Sequence, residues 1–130
     1  MKPIDIVKSF YSAFGKGDLP AAFALLDPEI SWKLVGPSSI PYFGTYTGVG
    51  GVQEFFNKLF EHEDIVTFAP ESFIDGGDTV VVLGREECRS KATGKVFSSP
   101  WVHVVTVVGG RMTGWTEYID SAALAAAYSN

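Results

Sequence analysis

The sequence is poor in the residues that most often form metal sites and disulfides. Its 130 residues include one cysteine, Cys88, and two histidines, His62 and His103. A single cysteine excludes a disulfide within the chain, and neither Cys-x-x-Cys nor His-x-x-x-His spacing occurs. A glycine-rich phosphate loop is also lacking. We therefore predict a protein without a bound metal and without a cofactor.

Basic residues are also scarce. The chain has 10 lysines and arginines against 15 aspartates and glutamates, with a net charge of −5. The basic residues form no stripe, which argues against a nucleic acid or an anionic membrane surface as a partner. The apolar stretches are too short to span a bilayer, and the N-terminus lacks the apolar core of a signal peptide. We expect a cytoplasmic protein.

Apolar residues, in contrast, are plentiful, at 46% of the chain, and aromatic residues make up 14%. Together with the length, this composition predicts a single domain over residues 1–130. Apolar residues recur at helical spacing in the first half and alternate as in strands from Ile65 onward. The charged run Glu61–Asp64 between the two halves is expected to be solvated. The pattern predicts helices over 4–14, 19–26, 52–60 and 121–128, a loop over 36–51, and strands over 30–35, 65–74, 79–89, 96–108 and 111–120.

Helices followed by an antiparallel meander define an α+β fold. The strand over 96–108 carries apolar residues on both faces. Trp101 and His103 share one face with Val105 and Val107, and Val102, Val104 and Val108 share the other. One face can cover the helices, and the other then needs a partner. We therefore expect a homodimer through the outer face of the sheet.

The last strand carries a carboxylate between large apolar side chains. Trp115, Glu117 and Ile119 alternate along it and therefore share one face. If that face is the inside of the protein, Glu117 must be paired, or its pKa rises and it can act as an acid or a base.

Several short motifs occur in an order and spacing that resemble one known family. They are Phe14-Gly-Lys-Gly-Asp18, Asp27-Pro-Glu-Ile30, Tyr46-Thr-Gly48, Thr93-Gly-Lys95, Gly109-Gly-Arg111 and Trp115-Thr-Glu-Tyr-Ile-Asp120. With them the chain resembles a SnoaL-like member of the NTF2-like superfamily over nearly its whole length. The resemblance implies a curved antiparallel sheet wrapped with helices into a cone, an apolar pocket at the open end, and a common tendency to dimerise. Function varies widely within this fold.

Three subfamilies offer different catalytic patterns. The chain resembles limonene-epoxide-hydrolase-like enzymes at Arg85-Glu-Glu87 and Trp115–Asp120. It has glutamate at both positions where those enzymes have a catalytic aspartate. Those enzymes hold the attacking water molecule with a Tyr-x-Asn motif on the first strand. This chain has Trp32 and Leu34 at the corresponding positions, and these side chains cannot hold a water molecule in that way. Ketosteroid isomerases have a base where this chain reads Trp32–Val35, without a carboxylate, and a helix-one tyrosine that Tyr11 approximates. SnoaL-type polyketide cyclases use a carboxylate on a late strand, where Glu117 or His103 could serve.

Strand alternation leads to one catalytic hypothesis. If Arg85 points inward, Glu87 does too, and both meet His103 and Glu117 in one pocket. A cation between two carboxylates would separate their pKa values into one acid and one base. The expected substrate-binding walls are aromatic: Tyr11, Phe14, Trp32, Tyr42, Phe43, Trp101 and Trp115. Alternatively, Arg85 and Glu87 form a solvated pair with Glu86 inward, and His103 and Glu117 are buried groups that satisfy each other.

The resulting expectation is a small-molecule pocket protein. As an enzyme it would be a cofactor-free hydrolase, isomerase or cyclase acting by acid–base catalysis on a compact apolar substrate. The alternatives are a protein that binds a small hydrophobic ligand without turnover, and a structural or partner-binding dimer.

Overall fold

A computed structural model describes residues 1–129. The elements follow in the order α1 (Pro3–Gly15), α2 (Leu19–Phe23), β1 (Leu26–Leu34), β2 (Gly44–Thr47), α3 (Gly48–His62), β3 (Glu63–Gly76), β4 (Thr79–Ser90), β5 (Val96–Val108), β6 (Arg111–Ile119) and α4 (Ser121–Ala127). Within the described range, no helix is both long and apolar enough to cross a membrane.

The six strands form one sheet in the order β2-β1-β6-β5-β4-β3. β3 to β6 form the predicted antiparallel meander, whereas β1 pairs with β6 in parallel. The sheet is curved and not closed, and α1 and α3 pack against its inner face. This arrangement confirms the predicted α+β fold with a curved sheet wrapped by helices.

The sequence pattern located the long strands well and the first two strands poorly. β5 has the predicted bounds, Val96–Val108. β1 begins at Leu26, four residues earlier than predicted, because the chain continues through Asp27 and Pro28 with a bulge in its pairing to β6. β2 lies inside the predicted loop, where Trp32 of β1 pairs with Tyr46. A strand of four residues containing glycine gives too little periodicity to be recognised.

Two short helices begin at aspartate caps. Asp18 accepts a hydrogen bond from the Ala21 amide before α2, and Asp120 accepts one from the Ala123 amide before α4. The last helix therefore begins at Ser121, as predicted, with Asp120 as its cap. A carboxylate in this position satisfies a free amide and lies favourably in the helix dipole.

The outer face of the sheet carries a contiguous apolar patch. Strand register places Ile74 beside Val81, Val81 beside Val104, and Leu83 beside Val102. Val102 in turn lies beside Tyr118. We refer to these six residues as the outer patch. Ile74, Leu83 and Tyr118 are 48%, 37% and 50% exposed, so the patch offers apolar surface to solvent.

Candidate active site

A narrow cavity lies between the inner face of the sheet and helices α1 and α3. The space free of protein atoms is about 510 Å³ including the part open to solvent, and the centre of a water molecule can occupy about 50 Å³ of it. Most of the wall is aromatic: Phe10, Tyr11, Phe14, Trp32, Tyr42, Phe55, Phe56, Phe68 and Trp115. A cavity of this size and lining suits a compact and largely apolar molecule.

At one side of the cavity, four side chains form a hydrogen-bonded chain. The indole N–H of Trp115 donates to the Tyr11 hydroxyl over 3.1 Å. The Tyr11 hydroxyl is 2.5 Å from Nδ1 of His103, and Nε2 of His103 is 2.8 Å from Oε1 of Glu117. His103 and Glu117 are paired across β5 and β6, and are 2% and 7% exposed.

The chemistry of these groups gives the chain one direction. An indole can only donate, so the Tyr11 oxygen accepts from Trp115 and its own proton goes to Nδ1 of His103. Neutral His103 then carries its proton on Nε2 and donates it to Glu117. Oε1 of Glu117 is thereby occupied, and any proton that the carboxyl group exchanges within the cavity moves through its second oxygen.

Burial sets the protonation of this pair. It raises the pKa of Glu117 from 4.5 to about 8 and lowers the pKa of His103 well below its usual value. Burial also raises the pKa of Tyr11 far above physiological pH. Near neutral pH, His103 is therefore neutral and Glu117 is close to its midpoint, which is the condition for a general base or acid.

A second group of carboxyls lies in the same cavity. Glu63, at the start of β3, accepts hydrogen bonds from the Tyr42 hydroxyl at 3.0 Å and the Tyr128 hydroxyl at 2.7 Å. Glu86, on the inner face of β4, accepts one from the Cys88 thiol at 3.0 Å. Both glutamates line the cavity with Glu117. Three carboxyl groups therefore share an aromatic space with no lysine or arginine in its described lining.

The pKa values of both additional glutamates are raised. Burial is the larger cause in each case, and it raises the pKa of Glu63 to about 7 despite the hydrogen bonds from Tyr128 and Tyr42. For Glu86, burial and then the charge of Glu117 raise the pKa to about 8. Like charges in one dry space resist ionising together. One carboxyl group can therefore be ionised while another remains protonated.

Glu63, Glu86 and Cys88 also have the spacing of metal ligands. One donor atom of each lies within 4.8 Å of the others. Without a metal, burial and the neighbouring carboxylates raise the pKa of Cys88, and the thiol keeps its proton. We therefore describe the group as hydrogen-bonded carboxyls, and the absence of a metal stays a prediction.

The structure corrects the predicted orientation of β4. Arg85 is exposed and points outward with Glu87, which the Ser98 hydroxyl contacts at 3.4 Å on the outer face. Glu86 points inward instead. The reason is register: Val82 is buried opposite His103, and alternation from Val82 through Gly84 brings Glu86 to the inner face. The expected grouping of Arg85 and Glu87 with His103 and Glu117 is therefore wrong.

The predicted aromatic walls are largely where they were expected. Tyr11, Phe14, Trp32, Tyr42 and Trp115 line the cavity. Trp101 lies behind the wall, stacked on His103 with ring centres 3.9 Å apart. Phe43 does not line this cavity and contributes to a separate surface groove beside β2.

Gly84 allows Trp101 to take its place behind His103. A Cβ atom at Gly84 would fall on the Trp101 ring and lie 2.7 Å from the Ala69 carbonyl oxygen. Only a residue without a side chain permits this approach. Gly84 therefore fixes the stacking partner that holds the imidazole ring in its orientation.

Two site residues were not identified from the sequence. Glu63 belongs to the run Glu61–Asp64 that was expected to be solvated, yet it is 2% exposed because two tyrosines cover its carboxylate. For Glu86, the sequence supports an inward orientation only as the alternative to Arg85 and Glu87. The buried Cys88, two residues away on the same face, was the one signal that could have favoured it.

The sheet, the helices and the aromatic cavity define an NTF2-like pocket protein. The family model for the SnoaL-like domain matches residues 7–115, and the chain belongs to that family. A crystal structure of an NTF2-like protein from Burkholderia xenovorans is 33% identical with a TM-score of 0.88, covering 98% of this chain and 95% of that one. An NTF2-like protein from Burkholderia thailandensis is 30% identical with a TM-score of 0.92, covering 100% and 99%. The uncharacterized protein Rv0034 of Mycobacterium tuberculosis is 28% identical over 122 residues, which are 92% of this chain and 91% of that protein.

Proposed function

We propose that the protein is a cofactor-free acid–base enzyme acting on a compact, mostly apolar carbonyl compound, with Glu117 as the base. The supporting observation is the hydrogen-bonded chain that ends at Glu117 inside an aromatic cavity. The chain orients one carboxyl oxygen and leaves the other to a bound molecule. Burial brings the pKa of Glu117 close to the pH at which an enzyme works.

The β1 wall of the cavity favours proton transfer over the hydrolysis of an epoxide. An attacking water molecule needs polar groups that hold it in line. Trp32 and Leu34, which line the cavity at the relevant positions of β1, offer no hydroxyl or amide oxygen for this purpose. We therefore favour removal of a proton from carbon next to a carbonyl group, followed by isomerisation or elimination.

The first test is turnover of a small unconjugated ketone by the wild-type protein. β,γ-Cyclohexenone should be converted to the conjugated α,β-cyclohexenone, which is followed by its ultraviolet absorption. Because the base must be ionised, the rate should rise with pH through about 8, the pKa of Glu117. A reaction no faster than in buffer across this range would contradict the proposal.

We also propose that the active form is a homodimer through the outer patch. The patch is contiguous, apolar and partly exposed, as expected of an association surface. Leu83→Lys should convert the dimer to a monomer by placing a charge at the patch. Size-exclusion chromatography with light scattering measures the mass. Val35→Lys, at a residue of similar exposure (39%) beyond β1, is the control and should remain a dimer. A monomeric wild-type protein would contradict this proposal.

A further inference from the structure

The carboxyl group of Glu86 has a free oxygen in the cavity. Glu86 lies opposite Ser99 of β5 and lines the same space as Glu117, which lies beyond His103 on β6. Its Oε2 accepts a hydrogen bond from the Cys88 thiol, and no residue in the described part of the chain forms a hydrogen bond with its Oε1. The Cys88 contact holds the carboxyl group in place and leaves Oε1 for a bound molecule.

A substrate oxygen that develops negative charge in this cavity needs a proton donor. The described lining contains no lysine or arginine, so a substrate anion would face Glu63, Glu86 and Glu117 without a compensating cation. The charge of Glu117, when it acts as the base, favours the protonated form of Glu86. An ionised Glu117 beside a protonated Glu86 supplies a base and an acid in one cavity.

We infer that Glu86 is a second catalytic residue, the general acid that protonates a departing oxygen of the substrate while Glu117 removes a proton from carbon. This inference rests on the proposed function and narrows its substrate class to β-hydroxy carbonyl compounds. Glu117 takes the proton from the carbon beside the carbonyl, and the C–O bond breaks as the electron pair of that C–H bond forms the C=C bond. The hydroxyl group leaves with the C–O electron pair, takes the Glu86 proton and departs as water.

Two probes with one product separate the two glutamates. β-Hydroxycyclohexanone must lose water to give α,β-cyclohexenone, and this step needs both a base and an acid. β,γ-Cyclohexenone reaches the same product when a proton moves between two carbons, which needs only the base. Glu86→Gln keeps a hydrogen-bond donor and the shape of the side chain but cannot transfer a proton. Glu87→Gln is the matched control, one residue away and on the outer face.

We expect Glu86→Gln to lower kcat for β-hydroxycyclohexanone by about 10²–10⁴-fold, the usual contribution of a general acid. Its rate with β,γ-cyclohexenone should change by less than about tenfold, since the amide can still donate a hydrogen bond. The wild-type pH profile for the hydroxy ketone should fall on both sides of about pH 8, and the variant should lose the alkaline fall. Glu87→Gln should match the wild type with both probes.

Three outcomes would overturn the inference. If Glu86→Gln removes water at the wild-type rate, Glu86 is not the acid, although β,γ-cyclohexenone turnover would still support Glu117. If both probes slow equally, Glu86 maintains the cavity and does not transfer the proton. If the wild-type protein converts neither probe, the proposed function falls and this inference falls with it.

Discussion

Replacing Glu117 by glutamine should slow the conversion of β,γ-cyclohexenone by about 10²–10⁴-fold, because the base that removes the proton is lost. The change is small in structural terms. The amide oxygen can still accept a hydrogen bond from Nε2 of His103, which lies 2.8 Å from the carboxylate oxygen in the wild-type protein. The side-chain volume hardly changes. The variant should therefore fold, which circular dichroism and thermal unfolding would show.

The comparison also distinguishes an enzyme from a binding protein with the same cavity. Glu54→Gln, on the exposed surface of α3, is the control and should keep the wild-type rate. Equal rates in a folded Glu117→Gln variant would exclude Glu117 as the base. A variant that binds the conjugated ketone with altered affinity, while the wild type shows no turnover, would favour a binding protein.

The free energy of unfolding should fall by roughly 4 kcal/mol between pH 6.5 and 8.5. Glu63, Glu86 and Glu117 have pKa values of about 7, 8 and 8 in the folded protein, against 4.5 ordinarily. The folded chain therefore binds more protons than the unfolded chain in this interval, and its stability is lost as pH rises through these values. A fall of this size is a large part of the stability of a small domain.

The chosen interval isolates the glutamates. The lowered pKa of His103 acts in the opposite sense, mainly below about pH 7, near its ordinary value of 6.5. The raised pKa values of Cys88 and of the buried tyrosines act at higher pH. Urea unfolding at fixed protein concentration would measure the fall. Glu63→Gln should reduce it by about 1 kcal/mol, and Glu86→Gln and Glu117→Gln should reduce it by about 2 kcal/mol each. A stability that is constant or rises over this interval would show that these carboxyl groups are already ionised.

The inward-facing site residues were predictable on strands whose sequence shows which alternate residues face the core. On β5, Trp101 and His103 continue into Val105 and Val107, and on β6 Trp115 and Ile119 flank Glu117, so the inner rows could be identified. β4 gave no such signal. Four apolar residues, Val80–Leu83, precede three consecutive charged residues, and either phase satisfies the alternation. The pairing of Val82 with His103, a tertiary contact, decides it.

The remaining site residues depended on contacts distant in sequence. Glu63 is buried because Tyr42 and Tyr128, 21 and 65 residues away, close over it. The hydrogen bond between Tyr11 and His103 joins residues 92 apart. Local patterns predict which side chains share a face of an element, but they do not report which elements meet across a cavity.

The hydrogen-bonded chain from Trp115 to Glu117 cannot carry a proton away from Glu117. The indole of Trp115 cannot accept a proton, so a proton captured by Glu117 has no exit through Tyr11 and His103. It can leave only past the substrate. When the substrate fills the cavity, Glu117 should return the captured hydrogen to the same molecule. Deuterium placed at the reacting carbon of β,γ-cyclohexenone should therefore survive in the product, so the enzyme would behave as an internal carrier of hydrogen, isolated from the solvent during each catalytic cycle.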